Sequence, residues 1–216
     1  MKQAFSPFDL GFMTRDATVE AALLTQARLK EAQATGKQLV LIKIDLEKAY
    51  DRVQRASMCQ LLLKVDPKLV RHFLVNYLPT SHIKYPNMPT TSVTEGVTTG
   101  DVLSPLYSNL VFAHVCQKSR DEFPGAWVLC YFDDEQVVAE GEVAFHVFDK
   151  LVVDFVAVGL KLNRGKCEVL FAIPPSEELR AMAEARGLPV VQGGRGGDSG
   201  VRSRRAQTRI WLSISW

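Results

Sequence analysis

The stretch that decides the fold covers residues 127–139 and reads WVLCYFDDEQVVA. Both of its ends are apolar, and Asp133 and Asp134 lie in its middle. Two short apolar runs separated by turn-forming residues predict a β-hairpin, because strands bury such runs and Asp is common in turns. We therefore predict strands over Trp127–Tyr131 and residues 136–139, with the two aspartates at the tip.

Working outward from the hairpin, Leu39–Asp45 (LVLIKID) is a β-branched run that predicts a mostly buried strand. Helical periodicity and start or stop residues predict the other elements. The predicted helices cover Ala17–Thr35 and residues 46–63, 67–77, 104–119, 142–158 and 177–186, residues 80–98 are loop with β-like character, and residues 168–172 form the last strand. This order predicts an α+β fold of the ferredoxin-like split βαβ type with an insertion.

Three carboxylates stand at strand ends in this arrangement. Asp45 ends its strand, and Asp133 and Asp134 cap the hairpin. In a ferredoxin-like sheet the two elements lie side by side, so Asp45 and Asp133 could converge on hard, oxygen-liganded cations such as Mg²⁺. The residues alone leave a second interpretation open, in which Asp133 and Asp134 are turn residues and Asp45 is an exposed strand end.

The residues around these carboxylates form four ordered motifs. They are IDLEKAYD at 44–51, EGVTTGD at 95–101 followed by LSPL at 103–106 and by Asn109, YFDD at 131–134, and GLKLN at 159–163 with Lys166. Together these motifs resemble the palm of the reverse transcriptases, most closely those of non-LTR retrotransposons. The segment 10–12 (LGF) and the helix after it resemble the connection from fingers to palm, so the resemblance covers residues 9–192.

The resemblance implies a right-hand polymerase palm with partial fingers and without a thumb, as in a truncated copy. Residues 1–38 would be partial fingers and the connection to the palm, and residues 39–192 the palm. Residues 193–216 contain five arginines, several glycines and one aspartate. We expect this tail to be disordered or an out-of-frame extension, because it cannot bury enough apolar surface to fold alone.

The resemblance also implies an activity, which is RNA-directed DNA polymerisation by two-metal nucleotidyl transfer. Asp45, Asp133 and Asp134 would be the catalytic carboxylates and the ligands of two Mg²⁺ ions, with Mn²⁺ possible instead. Lys166 would lie near the triphosphate and could protonate the leaving pyrophosphate. Taken alone, Lys166 is equally well a solvated surface charge.

Four further residues would contact substrates: Tyr50, Gly96, Thr99 and Gly100. The Tyr50 ring would lie against the sugar and favour deoxynucleotides, although it could also be a half-buried core aromatic. Gly96 and Gly100 would let the backbone approach the nucleotide and template, or could be simple turn glycines. Thr99 stands where the family usually has Gln. The implied partners are an RNA template, a DNA primer and deoxynucleoside triphosphates.

Composition limits the other function classes. The chain has 216 residues, 47% of them hydrophobic, and a net charge of +2. Residues 1–192 carry −2 of that total, so nucleic-acid binding has to be argued from specific sites and not from bulk charge. The four cysteines show no zinc-ligand spacing. The longest apolar stretch, residues 151–162, is broken by charged residues and too short to cross a membrane.

Two alternatives to an active retrotransposon polymerase remain at this stage. The chain could be a catalytically inactive remnant that binds nucleic acid through its arginine-rich tail or does nothing. It could also be a reverse transcriptase of the group II intron or retron type, since several of the motifs fit those relatives. We expect an intracellular protein, nuclear at its site of action if it is a retrotransposon product.

Overall fold

The computed structural model describes Asp9 and residues 17–78, 80–84, 89–98 and 100–191. The segment 10–12, Thr99 and the tail 193–216 lie outside the described residues. The described helices are α1 (Ala17–Thr35), α2 (Ala49–Arg52), α3 (Arg55–Val65), α4 (Pro67–Tyr77), α5 (Ser104–Glu122), α6 (Val143–Ala157) and α7 (Glu177–Ala185). The described strands are β1 (Leu39–Asp45), β2 (Ser81–Ile83), β3 (Thr91–Val93), β4 (Trp127–Tyr131), β5 (Asp134–Glu140), β6 (Glu168–Phe171) and β7 (Val190–Val191).

The main sheet has the strand order β4-β5-β1-β6-β7, and β2 pairs with β3 in a separate hairpin. Strand β1 is antiparallel to both of its neighbours, β5 and β6, whereas β7 runs parallel to β6. The order of the first four strands is that of a split βαβ sheet, in which the chain crosses over between β1 and the hairpin. The predicted ferredoxin-like fold is therefore confirmed, and β7 adds a short strand that the sequence pattern did not predict.

The two faces of the sheet are covered differently. One face carries the alternate residues Val40, Ile42 and Ile44 of β1, which are fully buried against α5 and α6 in the main core. The other face is covered by α1, where Ala32 packs with Leu39 in a smaller cluster. Because Leu39 begins β1 and Asp45 ends it, this smaller cluster lies at the end of the sheet remote from the aspartates.

The prediction of one helix over residues 46–63 is wrong. The structure has two helices, α2 and α3, separated by an extended Val53 with ψ 131°. Distant parts of the chain form hydrogen bonds with the backbone at this break. The Gly96 amide donates to the Val53 carbonyl (2.9 Å), and the Gln54 amide donates to the Val158 carbonyl (3.0 Å). Tertiary partners therefore override the local helical spacing.

The pair Ser104-Pro105 predicts a helix with Ser104 as the N-cap and Pro105 as the first helical residue, but α5 begins one residue earlier than this signal indicates. Leu103 is the N-cap and Ser104 is the first helical residue, so Pro105 follows at the second position. The Ser104 hydroxyl donates to the Thr98 carbonyl (2.7 Å), and Asp101 accepts the Leu103 amide instead (3.1 Å). The helix also continues to Glu122, beyond the predicted end near residue 119.

The remaining predicted elements agree with the structure to within one or two residues, but the prediction of both aspartates at the hairpin tip is wrong for Asp134, which is the first residue of β5. Pro67 opens α4 with the Asp66 side chain accepting the Lys68 amide, and Ser176 caps α7 by accepting the Leu179 amide. Across the described ranges, every helix falls short of the combination of length and apolar character that a membrane crossing needs. The proposed boundaries at residues 38 and 192 stay predictions.

Candidate active site

The strand register brings two of the three predicted carboxylates face to face. Asp45 is the cross-strand partner of Asp134, and Asp134 is in turn the partner of Tyr131 on β4. Directly paired residues place their side chains on the same face of a sheet, with Cβ atoms about 4.5–5.5 Å apart. Asp45 and Asp134 are both half-buried at this edge.

The third carboxylate lies in the turn of the hairpin. Because Tyr131 pairs with Asp134, the loop consists only of Phe132 and Asp133. Phe132 has φ +55°, in the left-handed region that residues other than glycine rarely adopt. Such a conformation costs on the order of 1–3 kcal/mol and persists only where the surroundings enforce it. Asp133 thus sits in a tight, strained turn directly beside the Asp45–Asp134 pair.

The charges around Asp134 are mixed. The pKa of Asp134 is raised, chiefly by burial. Lys43 and Lys166 act in the opposite direction, whereas the charges of Asp133 and Asp45 raise it further. Lys166 lies with its Nζ 3.8 Å from Oδ2 of Asp45, and its side chain is 55% exposed. An ion pair this open contributes little stability. The structure thus places Lys166 at the acidic edge, and its contact with a triphosphate stays a prediction.

The donor set at this edge fits a hard divalent cation without forming a complete cage. Within the described ranges, no three or more His, Cys, Asp or Glu side chains are arranged to hold a metal ion. Mg²⁺ ordinarily binds through one or two carboxylates together with substrate phosphates and water, so a preformed set of three protein ligands is not required. The paired Asp45 and Asp134 with the neighbouring Asp133 supply oxygen donors of that kind.

Tyr50 stands between the core and the aspartates. Its ring is half-buried and meets the Phe112 ring edge-to-face, with centroids 6.2 Å apart. Burial, and after it the charge of Asp133, raise the pKa of Tyr50 to about 12. The hydroxyl therefore stays protonated at neutral pH. The structure brings Tyr50 to the site, and its contact with a sugar stays a prediction.

The two predicted substrate glycines differ in their surroundings. Gly96 has φ +71°, and a Cβ added there would lie 2.3 Å from the Asp51 carbonyl oxygen. The backbone of Gly96 therefore packs closely against the backbone of α2. The next residue continues this contact, since the Val97 amide donates to the Tyr50 carbonyl (2.8 Å). Gly100 has φ +96° with nothing within 4 Å of such a Cβ. Contacts of Gly96, Gly100 and the undescribed Thr99 with a nucleotide stay predictions.

The 159–163 motif packs beside the loop that follows Asp45. The Asn163 amide donates to the Asp45 carbonyl (2.8 Å), and the Glu47 amide donates to the Lys161 carbonyl (2.8 Å). Gly159 has φ +86°, and a Cβ there would lie 2.7 Å from Cγ of Gln54. These contacts join the first and last motifs and explain how Lys166 comes to lie beside Asp45.

Sequence reasoning missed a buried polar group directly behind the acidic edge. Glu135 is fully buried, and neither of its carboxylate oxygens has a hydrogen-bond partner among the described residues. Burial, followed by nearby acidic groups, raises its pKa well above the ordinary value. Asn109 is also fully buried and accepts a weak hydrogen bond from Cys130 Sγ at 3.8 Å. Alternation along β5 could have revealed Glu135, since Val137 and Ala139 share its face.

Comparisons with known proteins agree with this geometry. The family model described as "Reverse transcriptase (RNA-dependent DNA polymerase)" matches residues 1–203. A curated relative is the retrovirus-related Pol polyprotein from the type-1 retrotransposable element R2 of Nasonia vitripennis. It is 25% identical over 185 residues, which cover 80% of this chain and 18% of the relative.

Solved structures with a similar fold include telomerases of Candida tropicalis. The apo enzyme truncated from its C-terminal domain has a TM-score of 0.59 at 15% identity, covering 79% of this chain and 38% of that one. A complex with a fragment of telomeric RNA has a TM-score of 0.57 at 14% identity, covering 74% and 30%. The chain thus spans well under half the length of these relatives. Its family match, however, extends over most of its residues, and the chain belongs to the reverse transcriptase (RNA-dependent DNA polymerase) family.

Proposed function

We propose that this chain carries the catalytic palm of an RNA-directed DNA polymerase of the non-LTR retrotransposon type. It would add deoxynucleotides to the 3′-end of a primer. The observation that carries the proposal is the pairing of Asp45 with Asp134, with Asp133 in the adjoining turn. The palm-type sheet, the family match and the R2 relative support the same reading.

Asp45, Asp133 and Asp134 hold the divalent ions in this proposal. Reverse transcriptases generally use divalent metal ions, and we propose two Mg²⁺ ions, which Mn²⁺ could replace. When bound, such ions activate the primer hydroxyl and neutralise charge on the leaving pyrophosphate. The three carboxylates provide oxygen ligands from two adjacent strands and a tight turn, which keeps the ligand positions fixed before substrate arrives.

Two side chains next to the carboxylates act on the nucleotide. Tyr50, whose ring packs edge-to-face on Phe112, would face the sugar and exclude a 2′-hydroxyl. Lys166 is exposed and already close to Asp45, so its ammonium group can contact the triphosphate and donate a proton to the leaving group. Gly96, Thr99 and Gly100 would line the path of the nucleotide and template.

The proposed partners are an RNA template, a DNA primer and deoxynucleoside triphosphates. The telomerase neighbour solved with telomeric RNA supports an RNA partner for this fold. We also propose that the protein acts inside the cell and in the nucleus, which the retrotransposon relative supports. Imaging of the tagged chain expressed in cells would test this, and exclusion from the nucleus would contradict it.

Primer extension tests the proposal. The purified chain is given an RNA template, a labelled DNA primer, deoxynucleotides and Mg²⁺, with Asp133→Asn and the exposed Asp121→Asn as matched variants. We expect extension by the parent and by Asp121→Asn, and a loss of about 10²–10³-fold or more in Asp133→Asn, since removing one electrostatic group from a catalytic site has that effect. A folded parent that binds the primer–template without extending it would favour the alternative of an inactive nucleic-acid-binding remnant.

A further inference from the structure

We propose that Arg55 and Tyr77 form a positioning pair that holds residues 93–98, 100 and 101 against the nucleotide site. The inference rests on the proposed function, because these residues include Gly96 and Gly100. Neither Arg55 nor Tyr77 belongs to the four palm motifs. Both act on the site through the loop that they hold.

Arg55 joins three separate parts of the chain. Its Nε donates to the Gly96 carbonyl (3.0 Å), and its Nη1 donates to the carbonyls of Tyr77 (2.9 Å) and Val93 (3.3 Å). These acceptors lie at the end of α4, at the end of β3 and in the loop after β3. A guanidinium group provides several donors in one rigid plane, which a lysine ammonium cannot reproduce.

Tyr77 extends the same contact to the far end of the segment. The guanidinium carbon of Arg55 lies 5.5 Å from the Tyr77 ring centroid, within the range of a cation–π contact. The Tyr77 hydroxyl donates to the Asp101 carboxylate and lies 3.0 Å from the Ser104 hydroxyl. The pair therefore fastens the segment at Val93, at Gly96 and at Asp101.

The segment held by Arg55 and Tyr77 is hydrogen-bonded directly to Tyr50, the residue predicted to face the sugar. The Val97 amide donates to the Tyr50 carbonyl (2.8 Å), and the Gly96 amide donates to the Val53 carbonyl (2.9 Å). Loss of the Arg55 donors would free the loop at its centre and loosen the backbone next to Tyr50. The consequence is a nucleotide site that is less well formed before substrate binds, with the three carboxylates left in place.

Steady-state extension kinetics test the positioning role in Arg55→Met, Arg55→Lys and Tyr77→Phe, with the exposed Arg180→Met as control. We expect the KM for deoxynucleotide to rise roughly tenfold in Arg55→Met, less in Arg55→Lys and Tyr77→Phe, with kcat changing much less. An unchanged KM in folded Arg55 variants, or a fall in kcat alone, would overturn the proposal. If Arg55→Met fails to fold, the two milder variants decide.

Amide hydrogen exchange gives a second readout that does not need activity. In the Arg55 variants we expect faster exchange at the Gly96 and Val97 amides and unchanged protection in β1 and β5. Unchanged exchange at Gly96 and Val97 would refute the positioning role even if the enzyme were active. An inactive parent whose Arg55 variants show the faster exchange would refute the polymerase proposal and keep the structural role of Arg55.

Discussion

At the scale of single residues, the most unusual group is the Glu135 carboxyl behind the acidic edge. It follows Asp134 directly but points to the opposite face, where its register partners are Ile44 on β1 and Cys130 on β4. Burying an ionised carboxylate without partners is costly, so the protonated form is favoured in the folded state. The raised pKa of Glu135 expresses this preference.

Glu135 makes folding stability depend on pH in a defined direction. Because its folded-state pKa is raised, its contribution to stability is fully present below the unfolded pKa of about 4.3 and is lost as pH rises through the folded pKa. We expect Glu135→Gln to increase the free energy of unfolding at pH 8 by about 1–3 kcal/mol and to flatten its decline from pH 5 to pH 8. Urea denaturation at both pH values measures this. The exposed Glu140→Gln should show neither change, and an unaltered pH profile in Glu135→Gln would show that the buried carboxyl does not titrate as described.

Gly96 is a second residue at which the close packing of its neighbours leaves no room for a side chain. We expect Gly96→Ala to destabilise the fold by about 2–4 kcal/mol, since the added Cβ meets the Asp51 carbonyl at 2.3 Å and φ is +71°. Gly125→Ala is the matched control, because a Cβ there meets nothing within 4 Å. Thermal unfolding compares the two variants. Equal midpoints would mean that the loop does not approach α2 this closely.

At the scale of elements, the sequence pattern predicted the strands that carry the aspartates and most of the helices. Strand β1 and strand β4 agree with their predicted bounds because β4 is continuously apolar and β1 is apolar except for Lys43 and its last residue, Asp45. The break between α2 and α3 could not be predicted locally, since it depends on hydrogen bonds from Gly96 and to Val158, which lie far along the chain. The cap of α5 was misplaced because Ser104 bonds to the Thr98 carbonyl instead of capping its own helix.

One buried ion pair fixes an element junction that no motif revealed. The backbone of Asp9 forms an isolated β-bridge with Cys130 of β4. The Asp9 carboxylate lies 2.7 Å from the guanidinium group of Arg120, near the end of α5. Both side chains are at most 8% exposed. Arg120 also donates to the Val128 carbonyl (2.8 Å), so the pair connects Asp9, α5 and β4.

Removing one partner from this pair leaves the other charge buried. We therefore expect Asp9→Ala to lower the free energy of unfolding by about 3–5 kcal/mol. The control is Lys37→Met, which breaks the exposed pair with Glu140 (3.1 Å) and should cost no more than about 1 kcal/mol. Denaturant titration of both variants provides the comparison. A loss in Asp9→Ala as small as that in Lys37→Met would contradict the burial of the pair.

At the scale of the whole molecule, three of the four motifs spread over residues 44–166 meet at one edge of a single sheet, and the second motif packs beside them on α2. The sequence could predict that Asp45 and Asp133 lie at strand ends, and the resemblance could assign them a role. It could not predict that the direct partner of Asp45 is Asp134, since a shift of one residue in register would have chosen differently. The contacts of Arg55 were equally invisible, because its acceptors lie 22, 38 and 41 residues away.

The most direct test of the central claim is single-nucleotide extension of a DNA primer on an RNA template by the parent, Asp45→Asn, Asp133→Asn and the double variant. If the two carboxylates serve one divalent-metal site, each single variant loses nearly all activity and the double variant is no worse, because groups that act as a unit are not additive. Circular dichroism confirms that each variant is folded. Extension retained by either single variant, or absent from the folded parent, would contradict the account.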